Sequence, residues 1–374
     1  MSALNYLEDV ILGRNTGVLS WLIRALLGPF SLVYRIGLAA YLAVYAVGLR
    51  KRYRLGVPVI SVGNLTLGGT GKTPAVQTIC RTLADRGSRV AVLSRGHGGS
   101  ARGPLIVSDG SSIKVDSRAA GDEPVLLGMT LPGVSVIVGK DRRKSGELAC
   151  REFDPDVIVL DDGFQYWQLE RDLDVIVLDA ARPFGSGFLM PMGDLREPAA
   201  GLRRAGVVLV SNSGAIEADG YRRLEKRISA LASNADVFRC SHQPVCIVRA
   251  SNGETFDLGW LKNRRIVAFC GIARPSSFIE MLESYGASLE KTVVFPDHHV
   301  YTVKDLADIE NERGSVEADA IVTTEKDLAR LGNRAGDITD LYALRIRLEI
   351  EEHSRLADRI YSSYKATFSE QAAD

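Results

Sequence analysis

The sequence has few cysteines and no excess of charge of either sign. Its five cysteines form no C-x-x-C pair, and five is an odd number. This spacing argues against a zinc site and against a disulfide framework, and it favours a reducing compartment. The 46 basic residues are balanced by 46 acidic ones. A chain without net charge is not favoured as a nucleic-acid binder.

A long charge-free run is also missing from the N-terminal part, although this part is strongly apolar. Between Val18 and Leu49 only Arg24 and Arg35 are charged, and the basic stretch RKRYR follows. The longest charge-free run, Ile36 to Leu49, is shorter than the roughly 20 apolar residues that a spanning helix needs. The segment also lacks the small-residue cleavage pattern of a secretory signal.

This segment predicts a helical hairpin that lies in a membrane interface. Gly28-Pro29 predicts a break between two helices, and Arg24 and Arg35 fall on nearly the same helical face. In such a hairpin the basic cluster after it would meet anionic head groups. The alternative is a helix pair docked on the protein's own core. The apolar character of most of its faces favours the interface.

Beyond residue 54 the sequence predicts an α/β fold. Continuous runs of Val, Ile and Leu are typical of parallel strands covered on both faces. Such runs occur at 57–64, 89–96, 134–141, 155–163, 173–180 and 205–212, and again at 264–272, 289–296 and 320–327. The expected architecture is a P-loop-like, mostly parallel sheet with a second, smaller α/β domain and the N-terminal interface segment. The expected boundaries are 1–54 for the interface segment, 55–236 for the P-loop domain and 237–374 for the smaller domain.

The stretch TLGGTGKT predicts a phosphate-binding loop, although the usual first glycine is replaced by Thr66. It lies between an apolar strand and a helix, where glycines let backbone N–H groups surround phosphate oxygens. Lys72 can reach the β and γ phosphates, and the hydroxyl of Thr73 can hold Mg²⁺. The residues expected to bind the nucleotide are Thr66, Leu67, Gly68, Gly69, Thr70, Gly71, Lys72 and Thr73. The alternative is a glycine-rich turn that matches by chance.

Four further motifs carry acidic or basic side chains whose roles the pattern alone leaves open. Asp161 and Asp162 follow a strand in VIVLDDGF, where they would either organise Mg²⁺ or cap a turn. Asp122 and Glu123 of GDEP also fit the start of an ordinary helix. The remaining two motifs are LREP at 195–198 and PDHH at 296–299.

Taken in order, these motifs resemble the tetraacyldisaccharide 4'-kinases, the lipid A 4'-kinases of Gram-negative bacteria. The matching segments are GNLTLGGTGKTP, SRGHGG, GDEP, DDGFQYWQLERD, MPMGDLREP, FCGIARP, FPDHHVYT and TTEKDLARL. The resemblance implies transfer of phosphate from ATP, with Mg²⁺, to the 4'-hydroxyl of a tetraacylated glucosamine disaccharide 1-phosphate. It also implies the cytoplasmic face of the inner membrane as location. The lipid A precursor and the membrane surface are then the expected partners, without nucleic acid or an obligate protein partner.

The resemblance also assigns roles to the matching residues. Asp122 corresponds to the general base, assisted by His298 from the other expected domain, so that closure would complete the site. Arg196 corresponds to the arginine that neutralises the transferred phosphoryl group, with Glu197 holding it in place. The resemblance further implies that Lys72 contacts ATP and that Thr73, Glu123 and Asp161 bind the metal ion. His97, Asp162 and Glu197 are the residues it implies at the substrate.

The sequence departs from the family pattern in two of these motifs and in the loop before LREP. His97 stands where tyrosine is usual, and Tyr166 stands where histidine is common. Met192 and Asp194 also depart from the usual LLPAGPLREP. At position 97 the contact expected of tyrosine is replaced by that of an imidazole, which can stack or donate one hydrogen bond. The other three changes alter an expected acceptor-side loop more than the chemistry.

Two other function classes fit parts of the sequence. The GG-x-GKT form resembles that of the ParA and MinD ATPases, although Leu67 stands where their extra lysine would be. This likeness suggests a membrane-bound ATPase switch that hydrolyses ATP without a lipid. The other class is a small-molecule kinase whose N-terminal helices are only structural.

Overall fold

The computed structural model describes the backbone of residues 3–371. The helices are α1 Ala3–Ile11, α2 Val18–Ala46, α3 Lys72–Asp85, α4 Ser117–Ala120, α5 Asp122–Thr130, α6 Arg142–Phe153, α7 Ala218–Leu231, α8 Pro275–Ser284, α9 Val303–Ser315, α10 Glu325–Leu331 and α11 His353–Gln371. The strands are β1 Val59–Gly63, β2 Val90–Ser94, β3 Leu105–Asp109, β4 Ser135–Val138, β5 Val157–Asp161, β6 Leu173–Asp179, β7 Val207–Ser211, β8 Asp236–Arg249, β9 Thr255–Phe256, β10 Arg265–Cys270, β11 Ser288–Val294, β12 Ala320–Thr324 and β13 Leu341–Ile350.

The chain forms two compact units, and both are discontinuous in sequence. The first unit contains Met1–Leu93, Arg142–Ser241 and Glu349–Asp374, and the second contains Ser94–Asp141 and His242–Leu348. This division differs from the contiguous segments expected from the sequence. Residues 94–141, which carry SRGHGG and GDEP, belong with the second unit, whereas the C-terminal helix belongs with the first. Local sequence patterns do not reveal that a segment belongs to the other unit, because this depends on which sheet the chain joins.

The first unit is built on a parallel sheet, as the sequence predicts. Its strand order is β8–β7–β6–β1–β5–β2, and each neighbouring pair is parallel. Every residue of β1, β5, β6 and β7 is buried, because helices cover both faces. On one face, Tyr221, Leu224 and Ile228 of α7 pack against β6 and β7. All carboxyl ends of these strands meet at one edge, which is where ligands bind in open α/β sheets.

The second unit has a parallel sheet of its own, in which β10 lies between β11 and β12, and β13 follows β12. Alternate residues of β10 face different cores. Phe269 packs with α9 and α10, whereas Ala268 packs with α8. The unit also contains the antiparallel pair of β3 and β4. Because both faces of β10 are covered, its sequence is continuously apolar, as the prediction assumed.

The predicted helical hairpin at the N-terminus is wrong. Residues 18–46 form one helix, α2, and Pro29 lies inside it. An interior proline removes one hydrogen bond and disfavours the helix by roughly 3 kcal/mol. Contacts on both sides of Pro29 hold the helix to the first unit: Arg24 Nη2 donates to Val10 O at 2.7 Å, and Ser31 Oγ donates to Leu189 O at 2.8 Å.

Helix α2 directs polar residues toward the protein and apolar residues away from it. Ser20, Arg24 and Ser31 are buried, whereas Leu26 is 73% exposed and Phe30 is 63% exposed. Arg24 is buried, whereas Arg35, eleven residues further along the same helix, is exposed. By length and composition α2 is able to cross a membrane, and only 6% of its most apolar window is buried. This low burial distinguishes it from the core helix of a soluble protein.

Candidate active site

The phosphate-binding loop leaves β1 and enters α3 with the geometry that its glycines require. Gly68 and Gly71 have positive φ angles of 95° and 93°, in a region that favours glycine. Gly71 is the N-cap, and Lys72 and Thr73 form the first turn of α3. The loop is fixed to the sheet because Ser211 Oγ at the end of β7 donates to Thr70 O at 2.8 Å. Free N–H groups at the start of α3 thus face the edge where an anion would bind.

Three charged side chains meet beside this loop. Arg196 Nη1 donates to Asp162 Oδ1 at 2.7 Å, and Lys72 Nζ lies 3.8 Å from the same oxygen. Lys72 also donates to Asn64 Oδ1 at 3.4 Å. Burial raises the pKa of Asp162, but the charges of Lys72 and Arg196 outweigh it and hold this pKa below its ordinary value. Asp162 is therefore ionised and keeps two cations at the phosphate-binding edge.

Glu197 contacts a different arginine from the expected one. It is 1% exposed. Its carboxylate accepts two hydrogen bonds from Arg204, at 2.9 and 3.1 Å, and one from Gln165 Nε2 at 2.8 Å. The Arg204 guanidinium lies over the rings of Phe164 and Trp167, with centroid distances of 4.0 and 4.2 Å. The side chain of Glu197 thus anchors the LREP loop internally, rather than holding Arg196.

Backbone hydrogen bonds join this LREP loop directly to the phosphate-binding loop. The N–H of Arg196 donates to Leu65 O at 2.8 Å, and the N–H of Leu67 donates to Asp194 O at 2.8 Å. Thr66 also forms an antiparallel bridge with Leu195. These bonds show why threonine is accepted at the position of the usual glycine: the residue is part of a short paired segment, and its φ angle is not positive.

Two of the departures from the family pattern have structural partners. The hydroxyl oxygen of Tyr166 accepts the N–H of Arg142, the first residue of α6, at 3.0 Å. Asp194 is buried, and its Oδ1 accepts the N–H and the hydroxyl of Ser186 at 2.7 and 2.8 Å. Tyr166 therefore caps a helix, and Asp194 closes the turn before LREP. Nothing in the structure explains Met192.

The second unit brings Asp122 and His298 together, although the sequence placed them in separate domains. His298 Nδ1 lies 3.4 Å from Asp122 Oδ2, and Arg330 Nε donates to the same oxygen at 2.7 Å. Burial raises the pKa of Asp122, but the hydrogen bonds from His298 and Arg330 outweigh it and lower the pKa below its ordinary value. His97 lies beside this pair, with its ring centroid 6.5 Å from that of His298. The carboxylate is therefore charged at neutral pH and has an imidazole within reach.

The expected metal ligands provide the oxygen donors that Mg²⁺ prefers. Asp161 ends β5 and is paired in register with Val62, just before the phosphate-binding loop. Thr73 follows Gly71 in the first turn of α3. Among the side chains that the structure describes, those of residues 6–365, no group of three or more His, Cys, Asp or Glu could hold a metal alone. This arrangement fits Mg²⁺, which binds through one or two protein groups together with phosphates and water.

Several residues of the two clusters escaped the sequence analysis. Arg204 lies outside the quoted motifs. Asn64 belongs to GNLTLGGTGKTP, Tyr301 to FPDHHVYT, and Asp327 and Arg330 to TTEKDLARL, but the sequence analysis gives these four residues no role. The available signal was their place in these motifs, above all in TTEKDLARL, which has four charged residues after a strand. Their partners could not be inferred, since these depend on the packing of distant segments.

Comparisons with known proteins show the family of this chain. The family model for LpxK, tetraacyldisaccharide-1-P 4'-kinase, matches residues 23–365. The chain belongs to the tetraacyldisaccharide-1-P 4'-kinase family. The tetraacyldisaccharide 4'-kinase of Syntrophus aciditrophicus is 45% identical over 313 residues, covering 82% of this chain and 84% of that protein. The tetraacyldisaccharide 4'-kinase of Anaeromyxobacter sp. strain Fw109-5 is 42% identical, covering 88% and 90%.

A solved member of the tetraacyldisaccharide-1-P 4'-kinase family has the same fold. It is the crystal structure of the "apo" form of LpxK from Aquifex aeolicus in complex with ATP. It matches with a TM-score of 0.76 and 32% identity over 91% of this chain and 99% of that one. The resemblance seen in the motifs, the mostly parallel α/β fold and the classification as a kinase are thus confirmed.

Proposed function

We propose that this member of the family transfers the γ-phosphoryl group of ATP to the 4'-hydroxyl of a tetraacylated glucosamine disaccharide 1-phosphate. The observation that carries the proposal is the convergence of Lys72 and Arg196 on Asp162 beside the phosphate-binding loop. Two cations held at this edge suit a triphosphate, whose charge must be neutralised as the phosphoryl group leaves. The ATP complex of the Aquifex aeolicus relative supports the choice of nucleotide.

The first unit would bind and polarise the nucleotide. Residues 66–73 would surround the phosphates, with Lys72 on the β and γ groups. Arg196 pairs with Asp162 in this structure, and a γ-phosphate would compete for the same guanidinium. The planar guanidinium can grip two phosphate oxygens at once, which suits a transition state with charge spread over three oxygens. Asp162 would orient the side chains of Lys72 and Arg196 and would itself lie within reach of the substrate.

The residues of the second unit would act on the acceptor. Asp122 would take the proton of the 4'-hydroxyl as transfer proceeds, with His298 orienting it or sharing its proton. His97 would contact the acceptor by stacking or by one hydrogen bond, in place of the usual tyrosine. For Glu197 the structure supports only an indirect role, because this side chain is buried against Arg204.

When bound, Mg²⁺ would supply positive charge that neutralises the phosphates. Thr73 and Asp161 are its proposed ligands, and Glu123 is added on the resemblance alone.

The proposed acceptor is a membrane lipid, and we propose that the N-terminal helix α2 holds the protein at the membrane. The exposed apolar side of α2 would insert into the bilayer interface, and the basic stretch after it would meet anionic head groups. We therefore place the protein on the cytoplasmic face of the inner membrane, held by α2, with no further protein partner required.

Transfer of labelled phosphate from ATP to tetraacyl disaccharide 1-phosphate in detergent micelles tests the proposal. We expect a bisphosphate product. Lys72→Ala and Asp122→Asn should each lower kcat by about 100-fold or more. Lys226→Ala and Asp308→Asn change exposed residues of the same types and should leave kcat unchanged.

The outcomes separate the proposed function from its alternatives. Rapid ATP hydrolysis without lipid, and no bisphosphate product, would favour the ATPase switch. Full activity of a soluble chain that lacks residues 1–50 would favour a small-molecule kinase. Near wild-type kcat in either site variant would remove the role proposed for that residue.

A further inference from the structure

Arg330 is a nearly buried arginine on α10 that joins several carboxylates of the second unit. Its side chain is 3% exposed. Nε donates to Asp122 Oδ2 at 2.7 Å, Nη1 donates to Asp327 Oδ1 at 2.8 Å, and Nη2 donates to Asp297 Oδ1 at 3.3 Å. Nη1 also contacts Gly271 O. A single guanidinium thus connects three acidic groups, of which one is the proposed base.

Asp327 is a second carboxylate that holds Arg330 in place. Its carboxylate is fully buried. It accepts hydrogen bonds from Tyr301 Oη at 2.9 Å, from Thr324 Oγ1 at 2.7 Å and from the N–H of Gly271 at 3.2 Å, besides that of Arg330. A buried carboxylate with four donors has little freedom to rotate, because any movement would leave donors unsatisfied. Arg330 is therefore fixed in direction as well as in place.

The contacts to Asp122 are directed at one of its two oxygens. Arg330 Nε and His298 Nδ1 both point to Oδ2, at 2.7 and 3.4 Å. Within the described part of the chain, Oδ1 has no hydrogen-bond partner. The carboxylate is thus held by one oxygen and presents the other. A general base needs this orientation, since its free oxygen must lie within hydrogen-bond reach of the proton it takes.

We propose that Arg330, anchored by Asp327 and Tyr301, is a positioning residue that orients Asp122 for proton abstraction. This inference rests on the proposed function. Arg330 acts through Asp122 and touches neither ATP nor the acceptor in this role. Asp327 and Tyr301 in turn hold the guanidinium in the position in which it contacts both Asp122 and Asp297.

Steady-state transfer by the full-length protein in micelles, with both substrates varied, tests this proposal. Arg330→Met should lower kcat by about 10- to 100-fold, because small misplacements of a catalytic group have effects of this size. KM for ATP should change less than about twofold. Tyr301→Phe keeps all charges, removes one anchor and should lower kcat about two- to fivefold. Arg313→Met is the control, since Arg313 is an arginine of the same unit that pairs instead with Asp340.

A double variant separates positioning from a general structural role. Once Asp122→Asn has removed the base, Arg330 has no carboxylate to orient. Adding Arg330→Met should then lower kcat by less than about twofold, since residues that act as one unit are not additive. Independent, multiplied losses would overturn the proposal, as would an unchanged kcat in Arg330→Met. If Arg330→Met does not fold, an unchanged kcat in Tyr301→Phe would overturn it. Absence of transfer by the wild-type protein would overturn the proposed function together with this inference.

Discussion

Replacement of Arg204 by methionine should destabilise the first unit, because it leaves the carboxylate of Glu197 buried without its cation. That carboxylate is 2% exposed and pairs with Arg204 at 2.9 Å. Methionine retains the apolar stem that packs between Phe164 and Trp167, so the change removes mainly the charge and its hydrogen bonds. The perturbation therefore isolates the ion pair from its packing.

The expected magnitude follows from the geometry. Breaking one side of a buried, hydrogen-bonded ion pair lowers the free energy of unfolding by about 3 to 5 kcal/mol. The lost cation–π contacts add about 1 kcal/mol. Gln165 Nε2 still donates to Glu197 after the change, which limits the loss to the lower part of this range. For a domain of about 200 residues, 3 kcal/mol corresponds to a decrease in Tm of about 6 to 12 °C.

Thermal unfolding of the micelle-bound protein, followed by circular dichroism, measures this effect. Arg203→Met is the matched control, since Arg203 is an exposed neighbour and should change stability by less than about 0.5 kcal/mol. Glu197→Gln in the Arg204→Met background removes the unpaired charge and should recover at least about 1 kcal/mol. A Tm within about 2 °C of wild type for Arg204→Met would refute the reasoning, as would a double variant less stable than either single one.

Three further changes test other parts of the first unit. Tyr166→Phe removes the hydroxyl that accepts the N–H of Arg142 and should lower the free energy of unfolding by about 1 kcal/mol, measured in urea; an unchanged midpoint would contradict the capping role. Leu26→Asp, on the exposed side of α2, should weaken binding to anionic vesicles by about tenfold or more in a sedimentation assay; undiminished binding would exclude this side as the membrane contact. Tyr34→Phe removes a hydrogen bond of 2.6 Å to Arg196 O and should lower kcat about two- to fivefold while vesicle binding is retained; the opposite pattern would assign Tyr34 to the membrane instead.

The parts of the fold that the sequence predicts are those with a strong local pattern. Nine predicted strands are present, and most of them are apolar because they are buried on both faces. The exception is β11, an edge strand that is only partly buried. The long strand β8 was missed, since its sequence, DVFRCSHQPVCIVR, mixes polar residues and a proline with apolar ones. Strand β13 alternates between buried and exposed residues in its second half. The discontinuous division into units has no local signature at all.

For the candidate site, too, the sequence predicts features with a local pattern but does not predict contacts between distant segments. The motifs predict which residue types carry the chemistry, and the structure brings Lys72, Arg196 and Asp162 together. Pairing by adjacency failed for Arg196 and Glu197, because the two side chains leave the LREP loop toward different partners. Arg196 pairs with Asp162, whereas Glu197 pairs with Arg204 and Gln165. The left-handed backbone of Asp162, with φ of 53°, is also invisible in a sequence, although such strain clusters at functional sites.

The contacts of α2 determine how its deletion should be interpreted. Tyr34 on α2 donates to the carbonyl of Arg196, and the N–H of Arg196 donates to the carbonyl of Leu65, immediately before the phosphate-binding loop. One backbone segment therefore joins the helix that carries the exposed apolar surface to the loop that carries Lys72. Removal of residues 1–50 would take away the apolar surface and also a support of Arg196. Loss of activity in such a truncation would not by itself demonstrate membrane attachment. Leu26→Asp and Tyr34→Phe separate the two effects, because each alters only one side of the same helix.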